Sequence, residues 1–219
     1  MIRALNSGLL RLFASLLIAC SATASASQLE TQFVEGKDFY RVSKKVIDQA
    51  NELDALKKVA DIEIFYWYGC AACLRVELAL TDYLADKPVL FVRRTPLVAH
   101  LDWRPQAYLQ PLMEALAGQI KTPDSVTLYE TCLADCTVFN SYEAIKSWLK
   151  SRQNGAELPF FNESEIWRAE KNYRKRADSY SIRQVPTIII KERYKVDANS
   201  AQSVERMVQI IDYLLTQTP

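Results

Sequence analysis

Two cysteines separated by two small residues carry the most pointed chemistry in this chain: Gly69-Cys70-Ala71-Ala72-Cys73. Thiol–disulfide exchange requires an accessible thiolate and a second thiol close enough to release a mixed disulfide. At the start of a helix, the first sulfur gains from unpaired backbone N–H groups and from the helix dipole, which both favour negative charge. One turn further along, the second sulfur falls within disulfide reach and packs more deeply. This spacing assigns Cys70 as the nucleophile and Cys73 as the resolving cysteine. The competing use of C-x-x-C is a purely structural bridge, although closing so short a ring stabilises little. Val185-Pro186-Thr187 is the second pointed feature, because proline just before a strand asks for a tight turn or a cis peptide bond. A trans proline ending a preceding helix is the alternative.

The flanking residues supply the elements these groups need. Residues 61–68, DIEIFYWY, are rich in β-branched and aromatic side chains and predict a buried strand, which Gly69 ends. From Ala71 the residues Cys73, Val76, Leu80 and Leu84 recur at helical spacing. A second strand is expected over 89–93, and the strand–helix–strand order predicts a βαβ unit with parallel strands. Toward the other end, 187–190 read as an apolar strand, Lys191-Glu192 as a turn and 193–196 as the partner strand. Val204, Met207, Val208, Ile211 and Leu215 line one face of a last helix. Between these two parts, 97–183 reads as an all-helical insertion of three or four helices. Thr122 before Pro123, and Asn140 and Asn162 with Glu three residues on, mark helix starts. Leu109, Leu112, Met113, Leu116 and Ile120 give the insertion an apolar face. The fold class is therefore α/β, with a first part over 27–96, the insertion, and a second part over 184–219.

The start of the chain reads as an export leader. Arg3 and Arg11, an apolar run over 12–19 and small residues over 21–26 follow the order of a cleaved secretory signal. The apolar run is too short to span a bilayer. Ala24-Ser25-Ala26 places cleavage after Ala26, so 1–26 are the expected signal peptide. Leu17-Ile18-Ala19-Cys20 also fits a lipobox, which would leave Cys20 lipidated, and a buried N-terminal helix is a third reading. Hydrophobic residues make up 49% of the chain, enough for a core, and 27 Lys and Arg stand against 26 Asp and Glu. That balance argues against disorder and against a nucleic-acid surface. Cys132 and Cys136 form a second pair, a structural disulfide in an oxidising compartment, with free thiols as the alternative. Four sulfurs also allow a zinc site, but the second pair is C-x-x-x-C and the chain holds one histidine, His100. No metal is expected, and His100 reads as a loop residue near the insertion.

Taken together, these residues resemble the DsbA family of disulfide oxidoreductases, including DsbL-like relatives, within the thioredoxin superfamily. The likeness runs through Phe33-Val34-Glu35-Gly36-Lys37-Asp38-Phe39-Tyr40, the strand into Tyr68-Gly69-Cys70, and Cys73-Leu74-Arg75-Val76-Glu77. It continues in Arg94-Thr95-Pro96, Trp103 and Gln184-Val185-Pro186. The resemblance implies a thioredoxin fold interrupted by a helical domain, with Val185 and Pro186 offering backbone groups to an extended substrate beside the disulfide. Gly69, Ala71, Ala72 and Tyr68 become neighbours of the reactive pair, and Trp67 or Tyr68 a hydrophobic surface for unfolded segments. It further implies a periplasmic monomer that needs no organic cofactor. Reduced or unfolded exported proteins are the implied substrates, and a DsbB-like membrane protein the implied redox partner. Val before the proline is the DsbA habit, where thioredoxin and the isomerase DsbC usually carry Thr.

Two departures shape the expectation. The family usually places Pro-His between its cysteines, where this chain has Ala71-Ala72. Without that histidine the Cys70 thiolate loses a stabilising group, so its disulfide is expected to oxidise less strongly than that of DsbA. The family also often buries an acid six residues before the first cysteine, where this chain has Ile64; Glu63, next to it, should face the other way. A reductase or isomerase on the same fold, and a chaperone-like binding module with a structural disulfide, are the rival functions.

Overall fold

Strand β2, Ile62–Tyr66, forms where the β-branched and aromatic residues are densest, and all five of its residues are buried. The computed structural model describes residues 33–43, 46 and 59–217, and the fold belongs to the unit Glu35–Pro219. The expected leader and Cys20 lie outside the described residues. Beyond β2 the sheet contains β1 (Tyr40–Arg41), β3 (Val92–Pro96), β4 (Thr187–Ile190) and β5 (Tyr194–Asp197), in the order β1-β5-β4-β2-β3. β2 runs parallel to β3 and antiparallel to β4, and β5 pairs antiparallel with both β4 and β1.

Helix α1 (Ala71–Leu84) joins β2 to β3. After β3 come α2 (Arg104–Ala107), α3 (Leu109–Leu116), α4 (Ser125–Asp135), α5 (Tyr142–Arg152) and α6 (Glu163–Ser179). The chain then returns to the sheet as β4 and β5, followed by α7 (Ala198–Ala201) and α8 (Val204–Thr216). This is the thioredoxin order βαβ…ββα, with helical elements between its halves.

The register corrects the expected position of the third strand. Residues 89–93 were the apolar choice, yet Val89 is 90% exposed and the ladder begins at Ile62↔Val92. The Asp61 carboxylate accepts the Phe91 N–H at 2.8 Å just before the strand. The strand can then continue through Arg93 and Arg94 because each finds a buried carboxylate, Glu63 and Glu77, on opposite sheet faces.

Caps shift too. Asp124 rather than Thr122 caps α4, accepting from the Thr127 N–H at 2.7 Å. Ser141 rather than Asn140 caps α5, accepting from Ala144, while Asn162 caps α6 as expected. On α3, Leu109, Leu112 and Leu116 are buried, and Ile120 lies past the helix end. The stripe of α8 is rotated from the expected one: Met207, Ile210, Ile211 and Leu214 face inward. The β4–β5 turn places Lys191 and Glu192 at φ 48° and 56°, the left-handed pair that a tight hairpin uses.

Alternation along β2 sends its side chains two ways. Glu63 and Phe65 face α6, where Phe65 packs with Leu97, Ala177, Tyr180, Ile182 and Ile189. Tyr66 faces α3 and α4, touching Gln110 and Tyr129.

Candidate active site

Cys70 is the N-cap of α1, with extended backbone (φ −103°, ψ 104°), and its Sγ accepts the Cys73 N–H at 3.1 Å. Cys70 and Cys73 are joined by a disulfide with Cα atoms 5.2 Å apart. The first turn of the helix carries no acidic side chain, so nothing there offsets the positive end of its dipole at the Cys70 sulfur. The two sulfurs differ in access: Cys70 is half-buried, whereas Cys73 is 2% exposed. Ala71 is exposed and Ala72 half-buried, so methyl groups stand where a ring donor would. An incoming thiolate therefore meets Cys70 first, and Cys73 is the natural leaving group.

The Val185–Pro186 peptide bond is cis. Thr187 is paired with Phe65, so the residues before it lie at the sheet end where β2 runs on toward Gly69 and Cys70. The Thr187 hydroxyl donates to the Gln184 carbonyl at 2.8 Å, closing the loop on itself. Val185 packs against the Phe65–Tyr180 cluster, and Pro186 is buried. Pro186 and Ala72 share one groove, whose apolar wall is Val76, Ala79, Val204 and Met207. The structure thus brings Ala72 and Pro186 together at the end of the sheet that carries the disulfide.

Gly69 is required by a close contact: a Cβ there would run into the Trp67 indole. That ring is pinned, stacked on Trp103 at 4.2 Å and donating its N–H to Gln106 Oε1. Trp67 is only half-buried, but Tyr68 is 2% exposed, which corrects its expected place on a hydrophobic surface. Tyr68 instead joins a buried phenol cluster, its hydroxyl 3.2 Å from that of Tyr66, with Tyr129 edge-on at 5.0 Å. His100 is exposed and packs T-shaped against Trp103 at 5.1 Å.

Beneath the disulfide, Glu77 follows Cys73 by one helical turn and is 3% exposed. Arg94 donates to it at 2.8 Å and Ser125 at 2.7 Å. In the sequence Glu77 and Arg94 stand out only as parts of a resemblance, and nothing marks Gln106; their partners are distant in the chain. Glu63 turns away from this face, toward Arg176. The second pair, Cys132–Cys136, is bridged with Cα atoms 3.8 Å apart, because α4 ends at Asp135 and the chain re-enters a single 3-10 turn at Cys136.

Burial raises the pKa of Tyr66, Tyr68 and Tyr129 above the ordinary phenol value. A folded-state pKa raised above the unfolded one gives stability that is complete below the unfolded value, about 10, and is lost as pH rises through it. Three such phenols together predict a decline of up to ~4 kcal/mol per pH unit above about pH 10. Urea unfolding midpoints measured across that range check it; a midpoint that stays level would mean the phenols ionise freely in the folded protein.

No protein-family model matches the chain. Among curated proteins it is 24% identical to the thiol:disulfide interchange protein DsbA of Pseudomonas aeruginosa over 208 residues, 91% of this chain and 94% of that one. It is also 24% identical to DsbA of Azotobacter vinelandii over 163 residues, 73% of this chain and 75% of the relative. The crystal structure of Pseudomonas aeruginosa DsbA superposes with a TM-score of 0.68 at 19% identity, covering 84% of this chain and 93% of that one.

Proposed function

We propose that this chain, a DsbA-like thiol:disulfide oxidoreductase, works as an oxidase that moves its Cys70–Cys73 disulfide onto cysteines of exported proteins. The observation that carries the reading is an accessible sulfur at a helix N-cap, bonded to a buried one, with a cis-proline loop at the same end of the sheet. A substrate thiolate attacks Cys70 Sγ, the Sγ–Sγ bond breaks, and its electron pair leaves with Cys73, which takes a proton. A second substrate thiolate then attacks its own cysteine sulfur in the mixed disulfide and releases Cys70 as a thiolate. The substrate is oxidised by two electrons and the enzyme dithiol holds them, so the cycle needs no metal or organic cofactor.

The substrate is an extended, reduced segment. It hydrogen-bonds the backbone at Val185 and Pro186 and lays an apolar side chain against Ala79 and Val204, which are half-buried in the groove. Leader 1–26 supports a periplasmic site of action, where a DsbB-like membrane protein reoxidises the dithiol; the enzyme works as a monomer. Among the described residues no helix is long and apolar enough to cross a membrane.

Ala71-Ala72 favours a second direction, reduction, because the thiolate lacks a neighbouring imidazole donor. Equilibration of Cys70–Cys73 with glutathione separates the two. The expected potential lies below the about −120 mV of DsbA and well above the about −270 mV of thioredoxin. A value at the thioredoxin end would make the protein a reductase; one at or above that of DsbA would remove the argument from the missing histidine.

A further inference from the structure

We propose that Gln106 is a positioning residue through which the Cys132–Cys136 bridge holds Cys70 in its reactive geometry. The inference rests on the reading that Cys70–Cys73 is the pair that exchanges. Gln106 is 5% exposed, and its side-chain oxygen is a meeting point of the Trp67 corner and the second cysteine pair. On one side it accepts the Trp67 indole N–H. On the other it lies 3.9 Å from Cys132 Sγ. Trp67 passes the contact on in two ways: its ring covers Gly69, and its carbonyl accepts the Cys70 N–H at 3.1 Å. Helix α4 makes a second, parallel contact one turn before Cys132, where Tyr129 packs on Tyr66 and Tyr68.

The chemistry of the second pair gives this contact a direction. While bridged, Cys132 has no proton, and Gln106 Oε1 is left to Trp67. The bridge also ties the last turn of α4 to the 3-10 turn that starts at Cys136, fixing the sulfur against Gln106. Opened by two electrons and two protons from a dithiol, Cys132 becomes an S–H donor aimed at the same oxygen, and the end of α4 is released. Trp67 then loses part of its anchor, and the Gly69–Cys70 corner loses the geometry that points Cys70 Sγ at the Cys73 N–H. The thiolate of the reduced enzyme is stabilised by that geometry, so the reactive disulfide becomes less oxidising.

The test compares the full-length chain without its leader with Gln106→Leu, with the double change Cys132→Ala and Cys136→Ala, and with all three combined. In each, the equilibrium constant of Cys70–Cys73 with glutathione and the pH profile of the thiolate absorbance are read. Gln106→Leu and the double cysteine variant are each expected to shift the equilibrium toward the disulfide at least about fivefold. Both should also move the thiolate profile to higher pH, and the combined variant should shift no further than the larger of the two. A bridge that only stabilises the fold would lower the unfolding midpoint and leave both readouts within about twofold, which overturns the proposal, as do shifts that simply add. If the double cysteine variant does not fold, Gln106→Leu alone decides. A wild-type chain that fails to equilibrate with glutathione at all would overturn the exchange reading itself, a result separable from the others.

Discussion

Changing Cys70 to serine is expected to lower disulfide exchange by at least about a thousandfold, the scale of removing a nucleophile. Changing Cys73 to serine should give a different phenotype. In the Cys73→Ser protein the Cys70 thiolate still attacks a substrate disulfide, but no neighbouring thiol resolves the product, so mixed disulfides accumulate. In the Cys70→Ser protein the remaining sulfur is 2% exposed and has no route to a substrate. Non-reducing electrophoresis after incubation with an unfolded protein that carries disulfides, followed by treatment with or without dithiothreitol, reads the difference. Adducts with Cys73→Ser alone are expected. Adducts with Cys70→Ser alone would reverse the roles of the two sulfurs, and adducts with neither would leave a binding module with a structural bridge. The prediction turns on access rather than on spacing, because either cysteine of a C-x-x-C pair has a partner within reach.

Much of this arrangement was legible in the chain because it is local. A strand-forming run, a glycine and a helical repeat around two cysteines lie within about twenty-five residues, and the turn at Lys191-Glu192 is a four-residue event. What could not be read depends on partners far apart in the chain. Val89, Leu90 and Phe91 look like strand residues and Arg93 and Arg94 do not, so the sequence points to a strand that starts three residues before Val92. The carboxylates of Glu63 and Glu77, distant in the chain, make those arginines acceptable inside a sheet. Tyr68 adjoins the nucleophile and so reads as surface in the sequence, yet Tyr129, 61 residues on, packs against it. Gln106 meets Trp67 across 39 residues and Cys132 across 26, and no periodicity marks it. The capping errors have a smaller cause: Thr122, Asp124, Asn140 and Ser141 are all competent caps, and the choice falls to whichever residue precedes the first buried turn.

The opposite face of β2 carries the second large effect, on stability. Arg176 near the end of α6 donates to both Glu63 oxygens at 2.6 and 2.8 Å and to Glu192 at 3.0 Å, and all three residues are buried. Burial opposes the charge of Arg176, but the hydrogen bonds and attraction from Glu63 outweigh it, and its pKa is raised. Replacing Arg176 by methionine fills the volume while stranding two buried carboxylates, with Thr95 at 2.7 Å and Arg93 at 3.8 Å still beside Glu63. The expected loss is about 3–5 kcal/mol, the scale of breaking one side of a buried pair. For a domain of this size that lowers the melting midpoint by roughly 6–20 °C. Arg176→Lys should recover only part of it, since one ammonium cannot fork between two carboxylates as a guanidinium does. Because Glu192 holds the left-handed turn of the β4–β5 hairpin and α6 leads through Tyr180 and Ile182 to the cis-proline, the same ion network fixes both ends of the strand that begins beside Pro186.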